Sequence, residues 1–107
     1  MKGTMLRFYV HENRKHGHIA LHEWLLEQSR AIGIHGGTAF RGIAGFGRHG
    51  VLHEEHFYEL AADMTVAVEF VVSEDEAERL LQLLRHERIS ILCARIPAEF
   101  EIIEGDR

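Results

Sequence analysis

Residues 65–86, TVAVEFVVSEDEAERLLQLLRH, decide the fold class of this chain. The first eight residues are mostly β-branched or aromatic, a composition that predicts a strand. Ser73 and Glu76 then have the spacing of a capping box, in which two side chains satisfy free backbone N–H groups where a helix begins. The apolar stripe of that helix follows at helical spacing: Ala77, Leu80, Leu81 and Leu84. A strand that leads directly into an amphipathic helix predicts a helix layer packed on a sheet.

An earlier strand and helix precede this unit in the chain. In residues 5–11, Leu6, Phe8 and Val10 alternate with Met5, Arg7 and Tyr9, which predicts a first strand with one face against the core. Residues 18–32 carry apolar side chains at helical spacing, and Gly33 stands where it would end that helix. The first half of the chain therefore begins with a strand followed by a helix.

Two further strands complete the predicted set. Residues 38–46, TAFRGIAGF, are compatible with a strand, but their glycines indicate a bulge or a close approach by another backbone or a ligand. Residues 89–96 predict the last strand, which we expect to end at Pro97. The order βαββαβ predicts an α+β, ferredoxin-like domain with a four-stranded antiparallel sheet and two helices on one face.

In that fold the first strand lies between the third and the fourth, so Arg7, Glu69 and Arg95 are expected to share the face without helices. Apolar neighbours are expected on the same face: Met5, Tyr9, Ala67 and Val71. An apolar surface that holds a charged network indicates a subunit interface, in which the charges determine register more than they add stability. We therefore predict that this face joins copies of the chain.

The composition narrows the class of protein. With 107 residues, 46% of them hydrophobic, we expect a single domain over residues 1–107. A net charge of −5 argues against a nucleic-acid partner. Cys93 is the only cysteine, and the sequence has neither a signal-peptide pattern nor an apolar run of about 20 residues, so we expect a cytoplasmic protein that does not insert into membranes.

Several motifs resemble one family. They are RGIAGFG at residues 41–47 followed by His49 and His53, LRFYV at residues 6–10, the His16–Gly17 turn, and GGT at residues 36–38. Together they resemble the PII-like proteins of an uncharacterised bacterial family in the nitrogen-regulatory PII superfamily. The resemblance implies a homotrimer with its sheets facing the three-fold axis, and an adenine nucleotide or related effector in the clefts between subunits.

The resemblance also assigns a role to the loop after the second strand. In PII proteins this loop changes shape to control a partner protein, and here it would be a flexible loop over residues 47–58. We expect an unidentified partner protein, with a membrane transporter or channel as one candidate class. The chain departs from PII proteins at residues 86–88, where it lacks their glycine-rich phosphate-binding connection. The resemblance therefore does not identify the effector.

Glycine-flanked basic residues predict the effector site. Glycine N–H groups can turn towards an anion and arginines add charge. The predicted effector contacts are Arg41, Gly45, Phe46, Gly47, Arg48, His49 and His53. The alternative is that the glycines only accommodate a bulged hairpin at a subunit contact.

Histidines and the tail raise further hypotheses. His16, His18 and His22 surround the start of the first helix, with the last two one helical turn apart, and predict a divalent-metal site of a metal-binding or metal-tolerance protein. The alternative is that these histidines are solvated or cap the helix.

Catalysis and the tail are two further points. No pattern of nucleophile and base surrounds Cys93, so we do not expect an enzyme. Within the tail of residues 98–107, we expect residues 100–103 to add an edge strand or to dock on a neighbouring subunit.

Overall fold

A computed structural model of the chain describes residues 1–46 and 64–106. Its elements are, in order, β1 (Lys2–His11), β2 (Lys15–His16), β3 (Ile19–Ala20), α1 (Leu21–Ala31), β4 (Thr38–Arg41), β5 (Thr65–Val72), α2 (Glu74–His86) and β6 (Leu92–Glu99). The two-residue strands β2 and β3 form a small separate hairpin, and the other four strands form one sheet.

The four-stranded sheet has the order β4-β5-β1-β6, and each neighbouring pair is antiparallel. Strand β1 therefore lies between β5 and β6, which are the third and fourth strands of this sheet in chain order. This arrangement confirms the predicted ferredoxin-like topology. Strand β5 matches the predicted residues 65–72, because its β-branched side chains favour extended backbone.

The core lies between one face of this sheet and the two helices. Alternate residues of β1 and β5 point into it, and the rings of Phe8 and Phe70 meet edge to face with centroids 6.1 Å apart. Trp24 and Leu25 of α1 and Leu80 of α2 cover them from the helix layer. This packing leaves the other face of the sheet without a helix among the described residues.

Both helices end in the same hydrogen-bonding pattern. After α1, Ile34 N–H donates to the carbonyl of Ser29 over 3.0 Å, and Gly33 adopts a positive φ of 95°. After α2, Ile89 N–H donates to the carbonyl of Leu84 over 3.1 Å, but the positive φ of 55° belongs to Arg88. The predicted role of Gly33 is thus confirmed, and Arg88 occupies a conformation that favours glycine.

The start of α2 also agrees with the prediction. The Ser73 hydroxyl accepts from Glu76 N–H at 3.2 Å, and the Glu76 carboxylate accepts from Ser73 N–H at 2.9 Å. The hydrogen bond from the Ser73 backbone lowers the pKa of Glu76. The capping box therefore joins β5 directly to α2.

Two element bounds differ from the predictions. Helix α1 begins at Leu21 and not at residue 18, because the chain first turns at Gly17, with φ of 66°, and pairs Lys15–His16 with Ile19–Ala20. Strand β6 begins three residues later than expected and continues through Pro97, which pairs with Thr4. Proline is tolerated there because β6 is an edge strand of the described sheet.

The predicted second strand and the tail differ as well. Strand β4 ends at Arg41, so the glycine-bearing residues 42–46 continue without strand pairing. Residues 100–103 form no strand, although Phe100 exchanges backbone hydrogen bonds with Met1. Among the described residues, no helix combines the length and the apolar character that crossing a membrane requires.

Candidate functional site

The face of the sheet without helices, here called the open face, carries the first candidate site. Arg7 pairs with Glu69 across β1 and β5, and its Nε donates to the Glu69 carboxylate over 2.7 Å. Hydrogen bonds from the guanidinium to the Tyr9 hydroxyl and to Glu69 raise the pKa of Arg7. The predicted Arg7–Glu69 pair is therefore present, and its hydrogen bonds favour the charged form of the Arg7 guanidinium.

Apolar side chains surround this ion pair, as the alternation predicts. The register of the strands places Met5, Tyr9, Ala67 and Val71 next to Arg7 and Glu69 on the same face. Strands β4 and β6 extend the surface, and its exposed large apolar side chains are Phe40, Val71, Leu92 and Ile96. A continuous apolar surface with a partly shielded ion pair at its centre is typical of a protein contact.

The expectation that Arg95 shares the open face is wrong. Arg95 pairs with Leu6, whose side chain is buried under the helices, so Arg95 points towards the helix layer. Its guanidinium donates to the carboxylates of Glu78 and Glu74 of α2 over 3.0 and 3.2 Å. These bonds raise the pKa of Arg95, and the bond to Glu78 has the largest effect. Arg95 therefore links the edge strand β6 to α2 by ion pairs.

A groove of about 380 Å³ adjoins the open face at the start of β4. It is lined by Gly36, Gly37, Thr38, Phe40, Glu69 and Val71. The β4–β5 ladder ends at the pair of Thr38 and Glu69, whereas β5 continues to Val72. The groove therefore forms where the chain before β4 separates from β5.

The two glycines of this groove differ in what surrounds them. A Cβ at Gly37 would clash with the Phe70 ring, so only glycine fits over that core side chain. A Cβ at Gly36 would meet nothing within 4 Å. Gly37 is thus required by packing, while Gly36 leaves the backbone open to an approaching group.

Arg41 lies at the other end of β4 and on the other face from Phe40. Its Nε donates to the Glu12 carboxylate over 2.6 Å, which lowers the pKa of Glu12 and raises that of Arg41. Next to this pair, Gly42 N–H donates to Thr65 and Glu12 N–H to Met64. The predicted effector arginine therefore pairs with Glu12 where β4 ends and β5 begins.

The other predicted effector residues divide into two groups. Gly45 and Phe46 follow β4, and the Phe46 side chain is 94% exposed. Gly47, Arg48, His49 and His53 lie outside the described residues, as does the predicted loop over residues 47–58.

The three candidate metal histidines occupy different surroundings. His16 in β2 approaches the Glu87 carboxylate at 3.2 Å, and its ring packs against Trp24 with centroids 4.6 Å apart. His18 lies in the turn between β2 and β3, and only His22 belongs to α1. The expected spacing of one helical turn is wrong, because the helix begins after His18. Within residues 1–46 and 64–106 no three His, Cys, Asp or Glu side chains form a metal-holding group.

The single cysteine lies in β6. Its thiol is half-buried opposite Phe8, and burial raises the pKa of Cys93. A raised pKa keeps the thiol protonated at neutral pH and lowers its nucleophilicity. The position therefore suits packing more than nucleophilic chemistry.

Two features of the site were missed by the motif-based predictions. The groove uses Gly36, Gly37 and Thr38, which appeared in the sequence only as one segment of the family resemblance. Glu12 is the carboxylate partner of Arg41, 29 residues away, and no local pattern indicates that pairing. A glycine pair directly before a strand was the available signal for the groove.

The chain is similar to proteins of one family. Its sequence matches the DUF190 family, described as an uncharacterized ACR, over residues 3–92. A UPF0166 protein from Aquifex aeolicus is 27% identical over 85 residues, which cover 79% of this chain and 81% of the relative. A UPF0166 protein from Methanocaldococcus jannaschii is 29% identical over 84 residues, which cover 78% of this chain and 77% of the relative.

A solved structure extends the comparison to the fold. A crystal structure described as that of a PII-like signaling protein from Thermus thermophilus superposes on this chain with a TM-score of 0.59. The two sequences are 19% identical. The superposition covers 91% of this chain and 87% of that one. Because the family match covers residues 3–92, the chain belongs to the DUF190 family, and its fold is similar to that of this PII-like neighbour.

Proposed function

We propose that this chain is the subunit of a homotrimeric PII-like regulatory module and not an enzyme. Three copies associate through their open faces, bind a small anionic effector such as an adenine nucleotide between subunits, and present residues 47–58 to a partner protein. A membrane transporter or channel is a candidate partner class, and the cytoplasm is the expected location. The observation that carries this proposal is a groove that adjoins an exposed apolar sheet face.

Association through the open face is supported by the energetics of its side chains. Phe40, Val71, Leu92 and Ile96 leave apolar surface in water, and burying such side chains stabilises a complex by about 1.5–3 kcal/mol each at most. The Arg7–Glu69 pair stays hydrogen-bonded within one subunit, so an interface could cover it without leaving an unpaired charge. Both features favour a stable contact between copies.

Effector binding is supported by the arrangement around β4. The proposed effector contacts remain Arg41, Gly45, Phe46, Gly47, Arg48, His49 and His53, and the groove at the start of β4 offers a separate open stretch of backbone at Gly36. Because the Arg41 guanidinium donates to Glu12, an anionic effector at Arg41 would compete with that carboxylate. Glu12 therefore sets how readily Arg41 accepts an anion.

Titration calorimetry against ATP, ADP, AMP and inorganic phosphate tests the effector proposal. We expect at least one nucleotide to bind, with affinity about tenfold or more weaker in Arg41→Ala, because a hydrogen bond to a charged group contributes about 1.5–3 kcal/mol. Arg85→Ala, an exposed position on α2, is the matched control and should bind as the unaltered protein does.

A second variant makes the test specific to the Arg41–Glu12 pair. Glu12→Gln removes the competing charge while it keeps the shape of the side chain, so we expect tighter binding of the same nucleotide. No heat from any ligand in the panel, or equal affinities in Glu12→Gln and Arg41→Ala, would contradict the effector proposal.

A further inference from the structure

The C-terminal tail exposes two large apolar side chains. Phe100 is held by mutual backbone hydrogen bonds with Met1 of 2.8 and 2.9 Å, so the tail leaves the sheet at a defined point. Beyond it, Ile102 and Ile103 are 80% and 85% exposed. Two adjacent isoleucines with so little contact to their own chain indicate a surface that another protein covers.

Two hollows lie on opposite sides of the segment at Gly36 and Gly37. One is the groove on the open face described above. The other has a volume of about 250 Å³, lies towards α1, and is lined by both glycines together with Leu26, Ile34, Arg30 and His35. The glycine segment therefore separates a hollow beside Phe40 and Val71 from a hollow beside Leu26 and Ile34.

The spacing of the two tail isoleucines suits the two hollows. Successive side chains of a strand point to opposite faces, so a strand laid along Gly36 and Gly37 would direct Ile102 into one hollow and Ile103 into the other. Gly36 has open space where a side chain would stand, which allows a second backbone to approach closely.

The charges are complementary as well. The isoleucines lie between Glu101 and Glu104, and Arg30 and His35 line the hollow next to α1. The carboxylate in the other hollow, Glu69, is already hydrogen-bonded by Arg7 and therefore repels an acidic segment less than an unpaired charge would.

The topology favours a second copy of the chain as the source of the tail that reaches Gly36 and Gly37. Within one chain the tail follows β6 at one edge of the described sheet, and Gly36 and Gly37 precede β4 at the other edge, with β1 and β5 between them. We propose that residues 101–104 of one subunit add as a short strand along Gly36 and Gly37 of a neighbouring subunit. This inference rests on the proposed association of copies and is independent of the effector.

Disulfide cross-linking between single-cysteine variants tests the contact. In a Cys93→Ala background, Ile103→Cys and Gly36→Cys are prepared separately, mixed, refolded together and oxidised. We expect a cross-linked pair of chains on a non-reducing gel that neither variant gives alone. The control mixes Ile103→Cys with Arg85→Cys, which lies on α2 away from the hollows, and should give no mixed cross-link.

The cross-linking and light-scattering results together distinguish the tail contact from the proposed trimer. A trimer by light scattering without the mixed cross-link would overturn the tail contact and leave the proposed assembly standing. A monomer would overturn both. A cross-link formed in the double variant Ile103→Cys with Gly36→Cys, but not in the mixture, would show that the tail docks on its own chain and would also overturn this inference.

Charge substitution in the tail gives a readout without cysteine. Ile102→Asp with Ile103→Asp should raise the dissociation constant of the assembly about tenfold or more, because two buried apolar side chains are lost. Asp106→Ala, beyond the contacting residues, is the control and should leave the constant unchanged. Equal constants for the unaltered protein and the double variant, measured by sedimentation, would contradict the contact.

Discussion

The two faces of one sheet differ in what they do for the protein. On β1, Leu6, Phe8 and Val10 are at most 3% exposed under the helices, whereas Met5 and Arg7, which alternate with them, are only half-buried on the open face. The helix-covered face is filled by apolar contacts within one chain, and the open face combines apolar surface with an ion pair. Folding of one chain therefore buries one face of the sheet and leaves the other partly exposed, which is the face that the proposed association would use.

Truncation of a core ring should have the largest effect on folding. Phe70→Ala removes a fully buried side chain that packs against Phe8, and we expect the free energy of unfolding to fall by about 3–5 kcal/mol. Urea denaturation at low protein concentration measures it. Phe40→Ala on the open face is the matched control and should cost less than about 1 kcal/mol for the single subunit. Equal losses would remove the distinction between the two faces.

A methyl group at the groove should have the next largest effect. Gly37→Ala would place a Cβ against the Phe70 ring, and such overpacking costs about 1–3 kcal/mol of unfolding free energy. Gly36→Ala meets no neighbour and should change that free energy by less than about 0.5 kcal/mol. Thermal unfolding of both variants measures the contrast, and a loss in Gly36→Ala as large as in Gly37→Ala would contradict the described packing.

Loss of the cap on α2 should weaken the helix that covers the core. Ser73→Ala removes the hydroxyl that accepts from Glu76 N–H, at a cost of about 1 kcal/mol. Ser90→Ala, a serine outside the helices and strands, is the control and should stay within about 0.5 kcal/mol of the unaltered protein in the same urea denaturation.

The same cap gives a pH dependence with a defined sign. Because the pKa of Glu76 is lowered in the folded chain, its contribution is present above the pKa of the unfolded state and is lost as the pH falls through the folded pKa. We expect unfolding free energy measured against pH to fall less steeply in acid for Glu76→Gln than for the unaltered protein. Identical slopes would contradict the assigned role of this carboxylate.

Removal of the edge arginine should have the smallest effect. Arg95→Ala breaks two partly exposed ion pairs with Glu74 and Glu78, which we expect to contribute about 0.2–1 kcal/mol to unfolding free energy. Since Arg95 points to the helix layer, the mass of the assembly in sedimentation should not change. A loss of assembly in this variant would indicate that Arg95 takes part in the contact between subunits and would contradict its assignment to the helix layer.

Residues with unambiguous periodicity were predictable from the sequence. The alternation in residues 5–11 identified which side chains of β1 face the core, and the Ser73–Glu76 spacing identified where α2 begins. Both patterns depend on the local geometry of one element. The fold class followed from the order of such elements.

Some features that depend on register or on distant neighbours were not predictable, although the pairing of Arg7 with Glu69 was. Residues 89–96 are apolar in both alternating positions, so their pattern does not choose the face of Arg95. Likewise, the glycines at residues 36–37 entered the predictions only as part of a family motif, and only the position of the Phe70 ring explains why Gly37 is required. The pairing of Arg41 with Glu12 needs the strands to be in place before it can be recognised.

Sedimentation equilibrium of the unaltered protein beside Leu92→Glu tests most directly whether the open face is the association surface. Leu92 is exposed on that face next to Tyr9, so a charge there should disrupt a contact between copies and leave the subunit fold intact. We predict three times the 12.3 kDa subunit mass for the unaltered protein, and a folded species of subunit mass for Leu92→Glu. A monomeric unaltered protein, or a Leu92→Glu variant that still forms the trimer, would contradict the account.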